Sequence, residues 1–246
     1  MQLLYMPCKQ LCIYFFILLN SCFVSVNAEG QNISMNRYGL HIIHSAKELQ
    51  QTIRLNANNR MVEITKVLPG IVLDLKYAGT DNFMKQKLYP SIQTTYLRAP
   101  AAAALQKVRA ELKEKNLTLK IWDAYRPYSV TEAMWEPVKD DRYAADPKFG
   151  SGHNRGIAVD LTLIDITTRK ELDMGTGFDN FSDSAHHDFK TLPAHVLANR
   201  LLLRTVMEKY GFTALESEWW HYYLPDVKQY ELMDVSFKTL RKLSAK

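Results

Sequence analysis

The sequence predicts an α+β fold, with a small mixed or antiparallel central sheet flanked by helices. Two amphipathic helix patterns, at 100–115 and 196–210, support this. So do strand patterns at 117–122 and 157–164, which do not alternate regularly with the helices as βαβ units would. Repeats, low-complexity tracts and an interdomain linker are absent from the sequence.

In chain order, residues 29–60 are polar, with Asn32, Asn36, Asn56, Asn58 and Asn59, and read as an exposed N-terminal arm, partly helical around Ala46–Arg54. The main domain is expected over 61–246. Met61–Lys66 alternates apolar and polar residues, and Ile71–Tyr77 follows the turn pair Pro69-Gly70, so both read as extended. Pro100 suits a first helical turn, where its missing N–H would have no partner anyway. Leu105, Val108 and Leu112 form the buried stripe of that helix, and Asn116 is placed to cap it. Leu117–Trp122 alternates as a strand, and Ser129–Trp135 reads as a second helix. Ile157–Ile164 is β-rich. Val196–Tyr210 is helical, with Leu197, Leu201, Val206 and Met207 expected inside and Gly211 as its left-handed stop. Phe212–His221 reads as one extended segment.

Residues 1–28 stand apart. Lys9 precedes a short apolar run, Leu11–Leu19, and Val26-Asn27-Ala28 offers small residues at the positions a signal peptidase reads. The run is shorter than the about 20 residues of a comfortable membrane span. A cleaved secretory leader and an exported, periplasmic protein are therefore expected, with no stable membrane span. Leu19-Asn20-Ser21-Cys22 loosely resembles a lipobox, so lipid anchoring through Cys22 stays open, as does an uncleaved anchor. The three cysteines, Cys8, Cys12 and Cys22, all lie in this leader. The remainder has no disulfide, cysteine nucleophile or thiolate ligand. The formal charge of +5 is spread among acidic residues and not gathered in a stripe, which gives nucleic-acid binding no support.

The chemistry gathers in two stretches, Ser151-Gly152-His153-Asn154-Arg155-Gly156-Ile157-Ala158-Val159-Asp160 and Glu218-Trp219-Trp220-His221. Two imidazoles, one ligating carboxylate and one free carboxylate make the donor set of a catalytic zinc site with an open position. In an extended chain His153 and Asp160 would face opposite ways, so a turn is required, and Gly152 and Gly156 tolerate one. Glu218 and His221 likewise need a bend or helical turn at Trp219-Trp220. On spacing alone the ordinary alternatives remain: a loop histidine, a strand aspartate bonded to backbone, and a surface Glu and His beside an aromatic strand end. Glu216, two residues from Glu218, competes for the catalytic role.

These two stretches resemble the D-alanyl-D-alanine dipeptidases (VanX type), within a zinc peptidase superfamily that also contains D,D-carboxypeptidases. Asp74-Leu75-Lys76-Tyr77, Trp122-Asp123-Ala124-Tyr125-Arg126-Pro127 and Met174-Gly175-Thr176-Gly177-Phe178-Asp179 extend the resemblance from about residue 63 onward. It implies the hedgehog/D,D-peptidase-like fold and one Zn2+ per chain on His153, Asp160 and His221. It also implies Glu218 as general base and Arg126 beside the scissile carbonyl. Ser151 and Asp179 match positions that hold the substrate's ammonium group, and Tyr77 lines the pocket near that end. From residue type alone, Arg126 could equally pair with Asp123, Asp179 could be a turn residue, Ser151 a loop hydroxyl and Tyr77 a core aromatic. His186-His187 receives no ligand role and reads as loop. The substrate implied is a free D,D-dipeptide. A D,D-carboxypeptidase and a zinc-containing binding module without catalysis are the rivals. Members that serve glycopeptide resistance act on a cytoplasmic pool, which an exported enzyme cannot reach, so salvage or wall turnover is the expected role.

Overall fold

The computed structural model describes residues 35–244. The expected leader, its cleavage site and Cys22 lie outside them. From Met35 onward the expected exposed arm is instead built into the domain, which therefore starts well before residue 61. Strand β1 (Ile42–Ile43) is buried and pairs in parallel with Leu232–Met233. Helix α1 (Ala46–Leu55) opens with a reciprocal cap. The Ser45 hydroxyl accepts from the Glu48 N–H, and the Glu48 carboxylate accepts from the Ser45 N–H. Leu49 on this helix is fully buried. Two isoleucines and one leucine carry no periodicity, and the strand that covers the isoleucines lies near the other end of the chain.

β2 (Met61–Glu63) gives way at once to a helical turn, α2 (Ile64–Val67), so the strand expected through Lys66 is cut short. β3 is only Val72–Leu73, and Lys76–Ala78 forms a 3-10 turn where strand was expected. A strand lasts as long as its neighbour: β2 pairs with the equally short β4 (Tyr96–Arg98). Helix α3 (Ala99–Glu114) carries Pro100 in its first turn and buries Leu105, Val108 and Leu112 as the stripe requires. β5 (Leu117–Asp123) is buried at every position but Lys120. It is followed by α4 (Tyr128–Val138), the short α5 (Gly152–Arg155) and β6 (Ala158–Asp165).

Helix α6 (Ala194–Lys209) buries Val196, Arg200, Leu203, Val206 and Met207, while Leu201 is 65% exposed. Val206 and Met207 lie inside as expected, but Leu197 is only half-buried and Arg200 and Leu203 take the inward positions in place of Leu201. Arg200 is the reason. Its guanidinium bonds the carbonyls of Met174, Ser184 and His186, so a charged residue takes a core position that apolar patterning assigns to leucine. Gly211 ends the helix with φ +93°. The following extended segment is a hairpin, β7 (Thr213–Leu215) and β8 (Glu218–Tyr223), and the chain closes with β9 (Leu232–Met233) and α7 (Phe237–Ser244).

The main sheet has the order β3-β5-β6-β8-β7, parallel at β3–β5 and antiparallel elsewhere. The α+β expectation of a small mixed sheet flanked by helices holds. Helices α3 and α6 contact each other; α3 also contacts β5, and α6 contacts β7 and β8. Leu119, Ile121, Val159, Leu161, Leu163 and Tyr222 share their apolar core. Side chains alternate along a strand, so Asp160 and His221 project from the other face. Among the described residues, no helix is long and apolar enough to cross a membrane.

Candidate active site

Sheet register assembles the site. In the β6–β8 ladder Asp160 lies opposite His221. In the β5–β6 ladder a bulge after Ile121 sets Asp123 opposite Asp160, where unbroken pairing would give Val159. That slip turns Asp123 away from the face of Leu119 and Ile121 and toward Asp160. A second irregularity separates Ala214 and Leu215: Leu215 faces Glu218, where an even ladder would give His221. Of the bend or helical turn expected at Trp219-Trp220, no helical turn forms: the segment stays strand and the register irregularity takes the place of a bend. Glu218 and His221 instead share one cavity through this slip.

His153 comes from α5, not from a loop. Ser151 caps this helix, its hydroxyl accepting from the Asn154 N–H while the Asn154 side-chain Oδ1 accepts from the Ser151 N–H. Gly156 stops it with φ +72° and leads into β6, as the turn argument required. A Cβ there would also stand 2.8 Å from Met61 Cε. The Asn154 amide donates to the Arg126 carbonyl and to Thr131, which anchors the helix to the segment that carries Arg126.

His153, Asp160 and His221 each offer one ligand atom, and these atoms all lie within 4.8 Å of one another. His153 Nε2 is 3.2 Å from His221 Nδ1 and 3.3 Å from Asp160 Oδ2, and His221 Nδ1 is 2.9 Å from Asp160 Oδ1. Donors about 2 Å from a tetrahedral ion stand roughly 3.3 Å apart, so the spacing and the N/N/O chemistry fit a divalent metal. His153 Nδ1 lies 2.7 Å from the Ala124 carbonyl, which accepts its proton and leaves Nε2 with a free lone pair toward the centre. Burial alone would raise the Asp160 carboxyl, but the two histidines beside it hold it well below the ordinary range. Burial disfavours the His221 cation, yet Asp160 and Glu218 raise its proton affinity.

A cavity of about 270 Å³ opens onto this centre, and Tyr77, Arg126, Ser151, His153, Asp160, Asp179, Glu218 and His221 all line it. Glu218 stands 4.0 Å from His221, and burial, reinforced by Asp160 and Asp179, pushes its carboxyl up to about 7. Arg126 does pair with Asp123, its Nε at 3.0 Å and Nη2 at 2.8 Å from the same oxygen, Oδ2. Nη1 stays outside that pair. The guanidinium also lies 4.9 Å above the Tyr77 ring. Asp179 accepts from the Tyr77 hydroxyl at 3.0 Å and from the Phe83 N–H at 2.9 Å, and burial lifts its carboxyl to about 7. It sits at φ +56°, so it is both a turn residue and a cavity residue.

Glu216 is not in the cavity; it is exposed and bonded to Arg204. His186 and His187 are likewise absent from the cavity lining and from the metal cluster. Two residues outside the cavity lining support it: Asp123, expected only as an ordinary ion-pair partner of Arg126, and Tyr89, given no role by the sequence. The i, i+3 spacing of Asp123 and Arg126 hinted at the first. Nothing local hinted at Tyr89, whose hydroxyl donates to Asp123 Oδ1 at 2.8 Å from a distant segment.

Residues 57–239 match the family described as D-ala-D-ala dipeptidase. The chain is 35% identical over 183 residues to a D-alanyl-D-alanine dipeptidase of Escherichia coli K12, a match covering 74% of this chain and 94% of that relative. It is 32% identical over 182 residues to one from Streptomyces coelicolor, covering 66% and 90%. It is 29% identical over 187 residues to one from Enterococcus faecalis, covering 68% and 93%.

Proposed function

The chain belongs to the D-Ala-D-Ala dipeptidase family of peptidases, and from that premise we propose that it is a zinc-dependent enzyme cleaving D-Ala-D-Ala into two D-alanines. The observation that carries this reading is the convergence of His153, Asp160 and His221 on one point in a cavity that Glu218 and Arg126 also line. These three residues would hold the zinc. When bound, the ion supplies a Lewis acid and lowers the pKa of water toward neutrality.

The chain's own groups do the rest. Glu218 takes the proton of the attacking water and returns it to the departing amine, a task suited to a carboxyl whose proton affinity lies near neutral pH. Arg126, locked on Asp123, offers its free edge to the oxyanion that develops on the substrate carbonyl. Asp179 receives the substrate ammonium, with Tyr77 fixing the carboxylate and Ser151 lining the same pocket. A cavity of about 270 Å³ has room for a dipeptide. Export and a role in salvage or wall turnover rest on the leader pattern in residues 1–28.

The test is hydrolysis of L,L, L,D and D,D dipeptides and of an N-acylated peptide ending in D-Ala-D-Ala, with and without chelator. Chelator-sensitive cleavage of the free D,D dipeptide is expected. Preference for the acylated peptide would make the enzyme a carboxypeptidase, and zinc loading without any turnover would make it a binding module. Fractionation that finds the protein in the cytoplasm would overturn the salvage role.

A further inference from the structure

We propose that Tyr89 is a positioning residue, one that sets the presentation of Arg126 by occupying one oxygen of Asp123. Asp123 is fully buried and makes two kinds of contact through two different atoms. Its Oδ1 accepts from the Tyr89 hydroxyl at 2.8 Å, and its Oδ2 accepts from Arg126 Nε at 3.0 Å and Nη2 at 2.8 Å. An unconstrained carboxylate meets a guanidinium edge with two parallel bonds, one to each oxygen. Here the Tyr89 hydroxyl holds Oδ1, so both N–H groups of that edge converge on Oδ2. The Tyr89 bond restrains rotation of the carboxylate, and the guanidinium plane follows Oδ2, with the Tyr77 ring 4.9 Å away and Asp160 Oδ2 3.9 Å from Nη2. Nη1 is then left outside the pair at an orientation the Tyr89 hydroxyl dictates.

The same residue reaches the second arm of the site. The Tyr89 N–H donates to the Tyr77 carbonyl at 2.9 Å, and the rings of Tyr77 and Tyr89 meet edge-on at 5.9 Å. Tyr77 in turn holds Asp179 through its hydroxyl. Behind both, the Tyr89 ring packs on Phe237 of α7 at 5.1 Å. Tyr89 is 3% exposed and does not line the cavity, so it acts through its neighbours and not on substrate.

The discriminating variant is Tyr89→Phe, which keeps the ring and its packing and removes only the donor. In protein labelled with 15N-arginine, the Arg126 Nε–Hε signal, assigned by its loss in Arg126→Lys, is expected to shift in Tyr89→Phe and to exchange with solvent several-fold faster. This arm needs no substrate, so it decides the inference even if the peptidase reading fails. The kinetic arm rests on that reading. With metal content matched, kcat on D-Ala-D-Ala falls about tenfold while KM stays within about twofold, as for loss of one hydrogen bond to a charged group. On the Arg126→Lys background the same change has little further effect. Substituting p-aminophenylalanine at position 89 restores a donor at the same place and returns both readouts toward wild type. An unchanged Arg126 signal in Tyr89→Phe overturns the inference. So does an equal loss of kcat on both backgrounds, or failure of the restored donor to rescue.

Discussion

Asp160 and His221 are direct partners across the β6–β8 ladder, and their side chains meet at 2.9 Å between Oδ1 and Nδ1. Two of the three candidate ligands are thus set by sheet register, the most rigid relationship the fold offers. A shift of one residue would send one of them to the opposite face. The third, His153, is delivered by a single capped helical turn and locked by its bond to the Ala124 carbonyl. Metal affinity should therefore depend on the strand pair first.

Replacing Asp160 with Ala is expected to abolish metal-dependent stabilisation. Chelator should lower the Tm of the wild-type protein, and zinc should restore it, since a ligand bound only to the folded state adds about 2.7 kcal/mol at a hundredfold excess over its Kd. The variant should show the same Tm with and without zinc in a thermal melt.

Glu218→Gln keeps the shape of the side chain but cannot take up and return a proton. Turnover should fall by about 10²- to 10⁴-fold with metal content unchanged. Elemental analysis beside steady-state kinetics checks both halves; near-normal activity in a zinc-replete Gln variant would refute the role.

Arg126→Ala should reduce kcat by about 10²- to 10³-fold while leaving metal affinity nearly intact. The Asp123 partner left behind is buried, so some loss of Tm is also expected. Loss of metal in place of kcat would assign the arginine to structure alone.

Asp179→Ala should raise KM for the free dipeptide about ten- to a hundredfold, the worth of a charge-assisted bond to the ammonium group. Turnover of an N-acylated substrate, which carries no ammonium, should change little. Equal loss on both substrates would contradict the assignment.

His187 offers a pH test remote from the metal. Burial is the main reason its proton affinity is lowered to about 4, with Arg204 adding to it, and its Nε2 is buried without a partner among the described residues. Between pH 4 and the ordinary histidine value of about 6.5, the unfolded chain binds more protons here than the folded one. This group's contribution is therefore full above that interval and is lost as pH falls through it. His187→Phe keeps an aromatic ring against Tyr222 and should flatten the decline of Tm between pH 6.5 and 4.5. Parallel Tm curves for the two proteins would dismiss the histidine as the cause.

Much of this was legible in the chain itself. The helix at α3, the strands β5 and β6, and the stops at Gly156 and Gly211 follow from local periodicity and backbone freedom, which neighbouring residues decide. The candidate cluster was legible too, because His153, Asp160 and His221 sit in two short and distinctive stretches. What local pattern could not carry was everything that depends on a distant partner. The burial of Ile42, Ile43 and Leu49 requires segments remote in sequence, and so does the inward turn of Arg200, which three carbonyls satisfy. The slips that turn Asp123 and Glu218 toward the centre exist only once strands pair. Residue types determined which chemistry this protein can do; register, set by long-range hydrogen bonding between strands, decided which side chains meet to do it.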